Sequence, residues 1–95
     1  QRRKEAELRA KQNQGVKPLE KRVATLEETI AKLEKVIAEH NAELSKPDVY
    51  DDAERRDTLL REVQEAQTEL ERSFAEWTEC NEKLEQLRAE IEAAS

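Results

Sequence analysis

Apolar residues recur along the first half of the chain at alternating intervals of four and three residues. This first seam consists of Leu19, Val23, Leu26, Ile30, Leu33, Ile37, His40 and Leu44, with His40 as its one polar member. An average spacing of 3.5 residues places them on one face of an α-helix, as in coiled coils. Pro18 precedes the seam, and proline suits the first position of a helix, where a backbone N–H has no partner. The pattern predicts a coiled-coil helix over residues 18–45.

A second seam follows a short interruption. Residues 46–52 contain Pro47 and three aspartates, which predict a turn. Asp51 with Glu54 three residues later has the spacing of a capping box and predicts the start of a second helix, over residues 53–93. The second seam consists of Leu59, Val63, Ala66, Leu70, Ser73, Trp77, Cys80, Leu84, Leu87 and Ile91, and is flanked by Leu60 and Phe74.

Two matched amphipathic helices with a short connection predict an all-α fold, an antiparallel two-helix coiled-coil hairpin. The small residues of the second seam leave room for the β-branched residues of the first. One register places Ile37 opposite Ala66. A register slipped by one heptad shortens the turn and places Trp77 near Leu19. Size matching favours the first and turn length the second, so the sequence leaves both open.

A different architecture fits the first seam by itself. β-Branched residues at the a positions with leucine at d are typical of a parallel two-stranded zipper. The first helix would then form a homodimer and serve as an oligomerisation module. The proline turn and the complementary second seam favour the hairpin, and we expect a monomer, with the dimer as the alternative.

Charge divides the chain unevenly. Its 95 residues include 17 basic and 23 acidic side chains, a net charge of −6. Residues 1–17 form a basic segment, predicted to be a linker or a short helix, and eight bases fall within the first 22 residues. Such a basic end could bind phosphate locally, although a solvated helix end is the simpler interpretation. The candidate nucleic-acid-binding residues are Arg2, Arg3, Lys4, Arg9, Lys11, Lys17, Lys21 and Arg22.

Several kinds of chemistry are not expected. A single glycine, Gly15, cannot build a phosphate-binding loop, and one cysteine, Cys80, cannot form an internal disulfide. With His40 as the only histidine, we expect no metal site, no cofactor and no catalysis in this segment. We expect no membrane span and a cytoplasmic setting. Tyr50 is expected to pack over the helix ends, with a docking role together with the acidic face as the alternative.

The order of these features resembles a known family. The runs RRKEAELRA (residues 2–10), PLEKRVATLEETIAKLE (18–34), KPDVYDD (46–52) and LERSFAEWTECNEKLEQL (70–87) are similar to the C-terminal extension of ABC-F proteins of the YheS and Uup type. The most specific parts are the P-D-x-Y-D turn from Pro47 to Asp51 and the E-x-W around Trp77.

The resemblance implies a coiled-coil extension of a soluble protein with two ATP-binding cassettes. A chain that begins with Gln and contains no Met is then expected to be a piece of that longer protein. The parent would bind ATP and magnesium, hydrolyse ATP and act on ribosomes in translation. The extension would lie in cis to the ATPase domains and contact the ribosome or nucleic acid, since nucleic-acid binding has been assigned to it in the Uup branch. No ATP-site residue lies in this segment.

Overall fold

The computed structural model describes residues 2–94, and all regular structure in that range is helical. The elements are α1 (Arg2–Ala10), a π-helical segment (Lys11–Val16), α2 (Lys17–Leu44), the single turn α3 (Pro47–Tyr50) and α4 (Ala53–Ala94). Cross-helix pairs join early residues of α2 to late residues of α4 and late residues to early ones, so the helices are antiparallel. The predicted all-α helical hairpin is confirmed.

The turn begins where Pro47 forces the preceding residue out of the helical conformation. Lys46 is extended, with φ −82° and ψ 125°, because the proline ring disfavours helical geometry in the residue before it. Within α3 the side chain of Val49 is buried, with 3 % of its surface exposed, while Tyr50 points outward. Tyr50, expected from the sequence to pack over the helix ends, is 52 % exposed, and the buried side chain of the turn is Val49.

The N-terminal cap of α4 differs by one residue from the prediction. Asp52, not Asp51, accepts the backbone N–H of Arg55 on Oδ1 at 3.3 Å, and its carbonyl accepts the first helical hydrogen bond from Arg56 at 2.8 Å. Position N3 is consequently occupied by Arg55, and Glu54 does not form a capping box. Adjacent aspartates both suit an N-cap, so only the path of the turn selects between them.

The basic N-terminal segment, apart from Gln1, which lies outside the described residues, continues into α2 as helix. Pro18 has no N–H to donate, so the backbone before it cannot complete the usual ladder of hydrogen bonds. The helix widens into π geometry there, and the N–H of Lys17 donates to the carbonyl of Gln12, five residues earlier. Pro18 thus lies inside a helical stretch instead of at its beginning, where the sequence placed it.

Residues 28–74 form one of two compact units, called unit 2. Its core contains Ile30, Val49, Val63, Ala66 and Ser73.

Two side-chain pairs determine the register in unit 2. His40 Nε2 lies 2.6 Å from Glu62 Oε2, and Arg55 Nη2 donates to Glu43 at 3.0 Å. Counting one turn back along α2 and one turn forward along α4 from the His40–Glu62 pair places Ile37 at the level of Ala66. The register favoured by size matching is therefore the one adopted.

Unit 1 combines residues 2–27 with residues 75–94. Its buried side chains are Val16, Leu26, Cys80 and Leu84. Leu26 in unit 1 and Ile30 in unit 2 are buried within the chain itself, so the first seam is filled from within and does not need a second copy as in a parallel zipper. The domain limits proposed from the sequence remain predictions.

Candidate nucleic-acid interface

Four of the eight candidate bases lie on α1, which is rich in good helix formers such as Glu5, Ala6 and Leu8. They are Arg2, Arg3, Lys4 and Arg9, and all four are exposed. Arg2 and Arg9 are seven residues apart, which places them on the same face two turns apart. Within residues 2–94 no carboxylate lies at salt-bridge distance from any of these four. Their charges are free to meet an external anion.

The other four candidates divide into paired and unpaired bases. Lys11 Nζ lies 3.8 Å from Glu90. Arg22 donates from Nε and Nη2 to the two carboxylate oxygens of Glu76, at 2.5 and 2.8 Å. Lys17 and Lys21 form no ion pair with any residue of the described range. The structure therefore takes two of the eight candidates into internal salt bridges and leaves six unpaired.

The Arg22–Glu76 pair changes the acidity of both groups. The hydrogen bond from Arg22, followed by the attraction between the charges, lowers the pKa of Glu76 below its ordinary value. The same hydrogen bond raises the pKa of Arg22. Because its guanidinium is already held in a two-point contact, Arg22 is a weaker candidate for phosphate binding than the free bases of α1.

Most of the basic side chains of unit 1 belong to its first segment, residues 2–27. Residues 2–27 carry eight bases and four acids, whereas residues 75–94 carry two bases and six acids. Unit 1 is neutral as a whole, while unit 2 carries seven bases and thirteen acids. The positive charge of unit 1 is therefore carried by α1 and the residues up to the start of α2, whereas unit 2 has a net charge of −6.

A second group of polar side chains surrounds the turn. The guanidinium of Arg56 lies over the Tyr50 ring, 5.4 Å from its centre, and Nη1 donates to the Tyr50 carbonyl at 3.1 Å. Lys46 Nζ donates to Glu43 at 2.7 Å, and this hydrogen bond and the charge of Lys46, with a smaller effect of Arg55, lower the pKa of Glu43. These contacts hold the turn in one shape and enclose no ligand cavity.

Residues 2–94 contain no group of three or more His, Cys, Asp or Glu side chains that could hold a metal ion. Cys80 is buried in the helix interface, and half-buried His40 contacts Glu62. The surface depressions, such as the one lined by Pro18, Lys21, Arg22 and Thr25, are open to solvent. No helix in this range has the length and apolarity needed to cross a membrane.

From the sequence alone, no partner is assigned to Glu20. This residue lies at heptad position e of the first helix, which in an antiparallel hairpin faces the row of Leu60, Gln67, Phe74 and Asn81 on the second helix. In the structure Arg88 Nη2 donates to Glu20 at 2.8 Å. Arg88 lies seven residues after Asn81 on the same row, so extending the heptad by one repeat would have predicted the pair.

Comparison with known proteins places the chain in a family. Residues 17–82, well over half of the chain, match the family model described as the ABC transporter C-terminal domain. No curated protein and no solved structure gives a significant match. The matched range contains all of α2, the turn and most of α4, and it excludes α1 with its four basic candidates. The chain therefore belongs to the ABC transporter C-terminal domain family and is an accessory, non-cassette part of an ABC protein.

Proposed function

We propose that this domain is a non-catalytic accessory domain of an ABC-F ATPase and that its basic end binds nucleic acid, with ribosomal RNA as the ligand. The binding residues are the unpaired bases Arg2, Arg3, Lys4, Arg9, Lys17 and Lys21. The supporting observation is that these six charges are exposed and form no ion pair with any residue in the range 2–94, while Lys11 and Arg22 are already paired.

The chemistry of such a contact is electrostatic. Lysine and arginine side chains neutralise phosphates and release condensed counterions, which provides affinity without reading sequence. The acidic unit 2 opposes broad contact along the chain and would direct the nucleic acid to α1 and the start of α2. Binding confined to α1 and the start of α2 would suit an accessory domain that adjusts how its parent protein docks on the ribosome.

The role of the parent is part of the same proposal. The resemblance to ABC-F extensions implies two ATP-binding cassettes in cis, which would bind ATP and magnesium and act on ribosomes in the cytoplasm. We expect the domain to be monomeric in solution, because Leu26 and Ile30 of the first seam are buried within the chain itself. A measured mass of two chains would favour the oligomerisation module instead.

The test compares two quadruple variants of equal charge change. One replaces the free bases of α1 by glutamine (Arg2, Arg3, Lys4 and Arg9). The control replaces four bases of unit 2 that form no ion pair among the described residues (Lys32, Lys35, Arg61 and Arg72). Binding of a labelled 20-base-pair duplex RNA is titrated over a series of salt concentrations.

In the α1 variant the slope of log K against log salt is expected to become less negative. The change is about 0.9 for every phosphate that the substituted side chains no longer neutralise. The control variant is expected to keep the slope, because the lysine and arginine side chains that it replaces do not contact the RNA. Equal losses of affinity in both variants would show that only net charge matters. An absence of binding at low salt in the unsubstituted chain would reject the proposal outright.

A further inference from the structure

The two long edges of unit 2 differ in charge. On one edge, called the charged edge, Glu43 binds Arg55 and Glu62 contacts His40. These pairs lie on the side of unit 2 that is formed by heptad positions c and g of both helices. Eleven helical residues of unit 2 occupy these positions, and eight of them are charged. The eleven are Thr29, Lys32, Val36, Glu39, Glu43, Arg55, Thr58, Glu62, Glu65, Glu69 and Arg72.

The opposite edge, called the low-charge face, comprises heptad positions b and e of the same helices. Only three of its eleven residues are charged, and all eleven are exposed. They are Ala31, Glu34, Ala38, Asn41, Ala53, Asp57, Leu60, Gln64, Gln67, Glu71 and Phe74. In a chain of which 42 % is charged, this low density of charge marks one continuous face as different from its surroundings.

Two large apolar side chains stand on the low-charge face. Leu60 is 46 % exposed and Phe74 is 43 % exposed. Fourteen residues separate them on α4, which corresponds to about 21 Å along a helix. On the same face, α2 presents Ala31 and Ala38, which are exposed. Bulky exposed side chains on one helix beside small ones on its neighbour allow a third helix to pack closely against this face.

The charged residues of the low-charge face indicate which kind of partner it would bind. The three charged residues of the face, Glu34, Asp57 and Glu71, are all acidic. They repel the phosphates of nucleic acid, and a second copy of the same face would meet its own carboxylates. A helix with an apolar stripe flanked by lysine or arginine complements both the apolar anchors and the acidic rim.

We propose that the low-charge face of unit 2 binds an amphipathic, basic α-helix of a partner protein, with Leu60 and Phe74 as anchors. The proposed binding residues belong to unit 2 alone, so this proposal does not depend on nucleic-acid binding by the basic residues.

The probe is a labelled 21-residue helical peptide with leucine at heptad positions a and d and lysine at e and g. Its binding to the 95-residue chain is measured by fluorescence anisotropy. The test variant carries Leu60→Ala and Phe74→Ala. The matched control carries Val36→Ala, which removes an apolar side chain of 36 % exposure from the charged edge. Circular dichroism checks that all variants retain their helix content.

The double variant is expected to weaken binding at least tenfold, and Val36→Ala less than twofold. Replacing Glu34 and Glu71 by glutamine should weaken binding at low salt and have little effect at high salt, because salt screens the attraction.

Three results would overturn the proposal. The first is an equal effect of Val36→Ala. The second is equal binding of a scrambled peptide that has the same charge but no apolar stripe, since attraction would then be purely ionic. The third is self-association of the chain that Phe74→Ala abolishes, which would make a second copy the occupant.

Discussion

Gly15 lies directly against Leu87, at the point where the π-helical segment meets the last part of α4. A β-carbon at Gly15 would be 2.9 Å from Cδ1 of Leu87, closer than unstrained carbon atoms approach. The neighbouring Val16 is 1 % exposed, so the backbone here is packed tightly against α4. The glycine permits this close approach of two helices, and no positive φ is involved.

Substitutions at Gly15 should therefore depend on size. In Gly15→Ala, a gain in helix propensity of up to about 1 kcal/mol offsets a small shift of the flexible end of Leu87. In Gly15→Val, the larger side chain overpacks the contact and should reduce the free energy of unfolding by about 1–3 kcal/mol. Urea denaturation measures both. The double variant with Leu87→Ala should recover part of the loss seen for valine, and purely additive losses would contradict the contact.

The cap of α4 provides a comparison between adjacent aspartates. Asp52→Ala removes the acceptor for the Arg55 N–H and should cost about 1 kcal/mol of unfolding free energy. Asp51→Ala leaves that hydrogen bond intact and should cost clearly less. Thermal and chemical denaturation of the two variants would decide, and a larger effect at Asp51 would favour the capping box predicted from the sequence.

In unit 2 the loss of stability on replacing an apolar side chain should depend on whether that side chain is buried. Ile30 is 8 % exposed, and Ile30→Ala should reduce the free energy of unfolding by about 2–4 kcal/mol, because apolar surface is no longer buried and a cavity remains. Val36 is 36 % exposed, and Val36→Ala should be nearly neutral, because alanine also favours the helix. Equal losses of stability in the two variants would mean that Ile30 is not part of the packed interface.

The pairing of Glu76 with Arg22 makes stability depend on pH in the acidic range. The pKa of Glu76 is lowered in the folded chain, so its contribution is present above its unfolded pKa and disappears as pH falls through the lower folded value. Glu76→Gln should therefore be less stable than the unsubstituted chain at pH 7, with a difference that closes in strong acid.

The matched control is Glu82→Gln, because Glu82 forms no ion pair within residues 2–94. Urea denaturation at pH 7 and in strong acid should show the change only for Glu76→Gln. A difference between the unsubstituted chain and Glu76→Gln that stayed constant across this range would show that the carboxylate charge does not contribute through Arg22.

Periodicity alone determined the helical hairpin. The two seams end on either side of Pro47, and such repeats are local properties that survive any choice of register. Leu26, Ile30 and the small Ser73 are buried as the same repeat predicts, whereas the buried Val16 and Val49 lie outside both seams. The sequence also located the basic segment, because charge segregation is visible in a linear chain.

Tertiary structure decided the features that depend on contacts between distant residues. Heptads look alike after a slip of seven residues, so only the sum of contacts across the helices, marked by pairs such as His40 with Glu62, selects the register. The same holds for Lys11 and Arg22, whose partners Glu90 and Glu76 lie far away in the sequence. The π-helical segment before Pro18 likewise depends on tertiary structure. Pro18 lacks a backbone N–H, and packing against α4 keeps the helix continuous at this point.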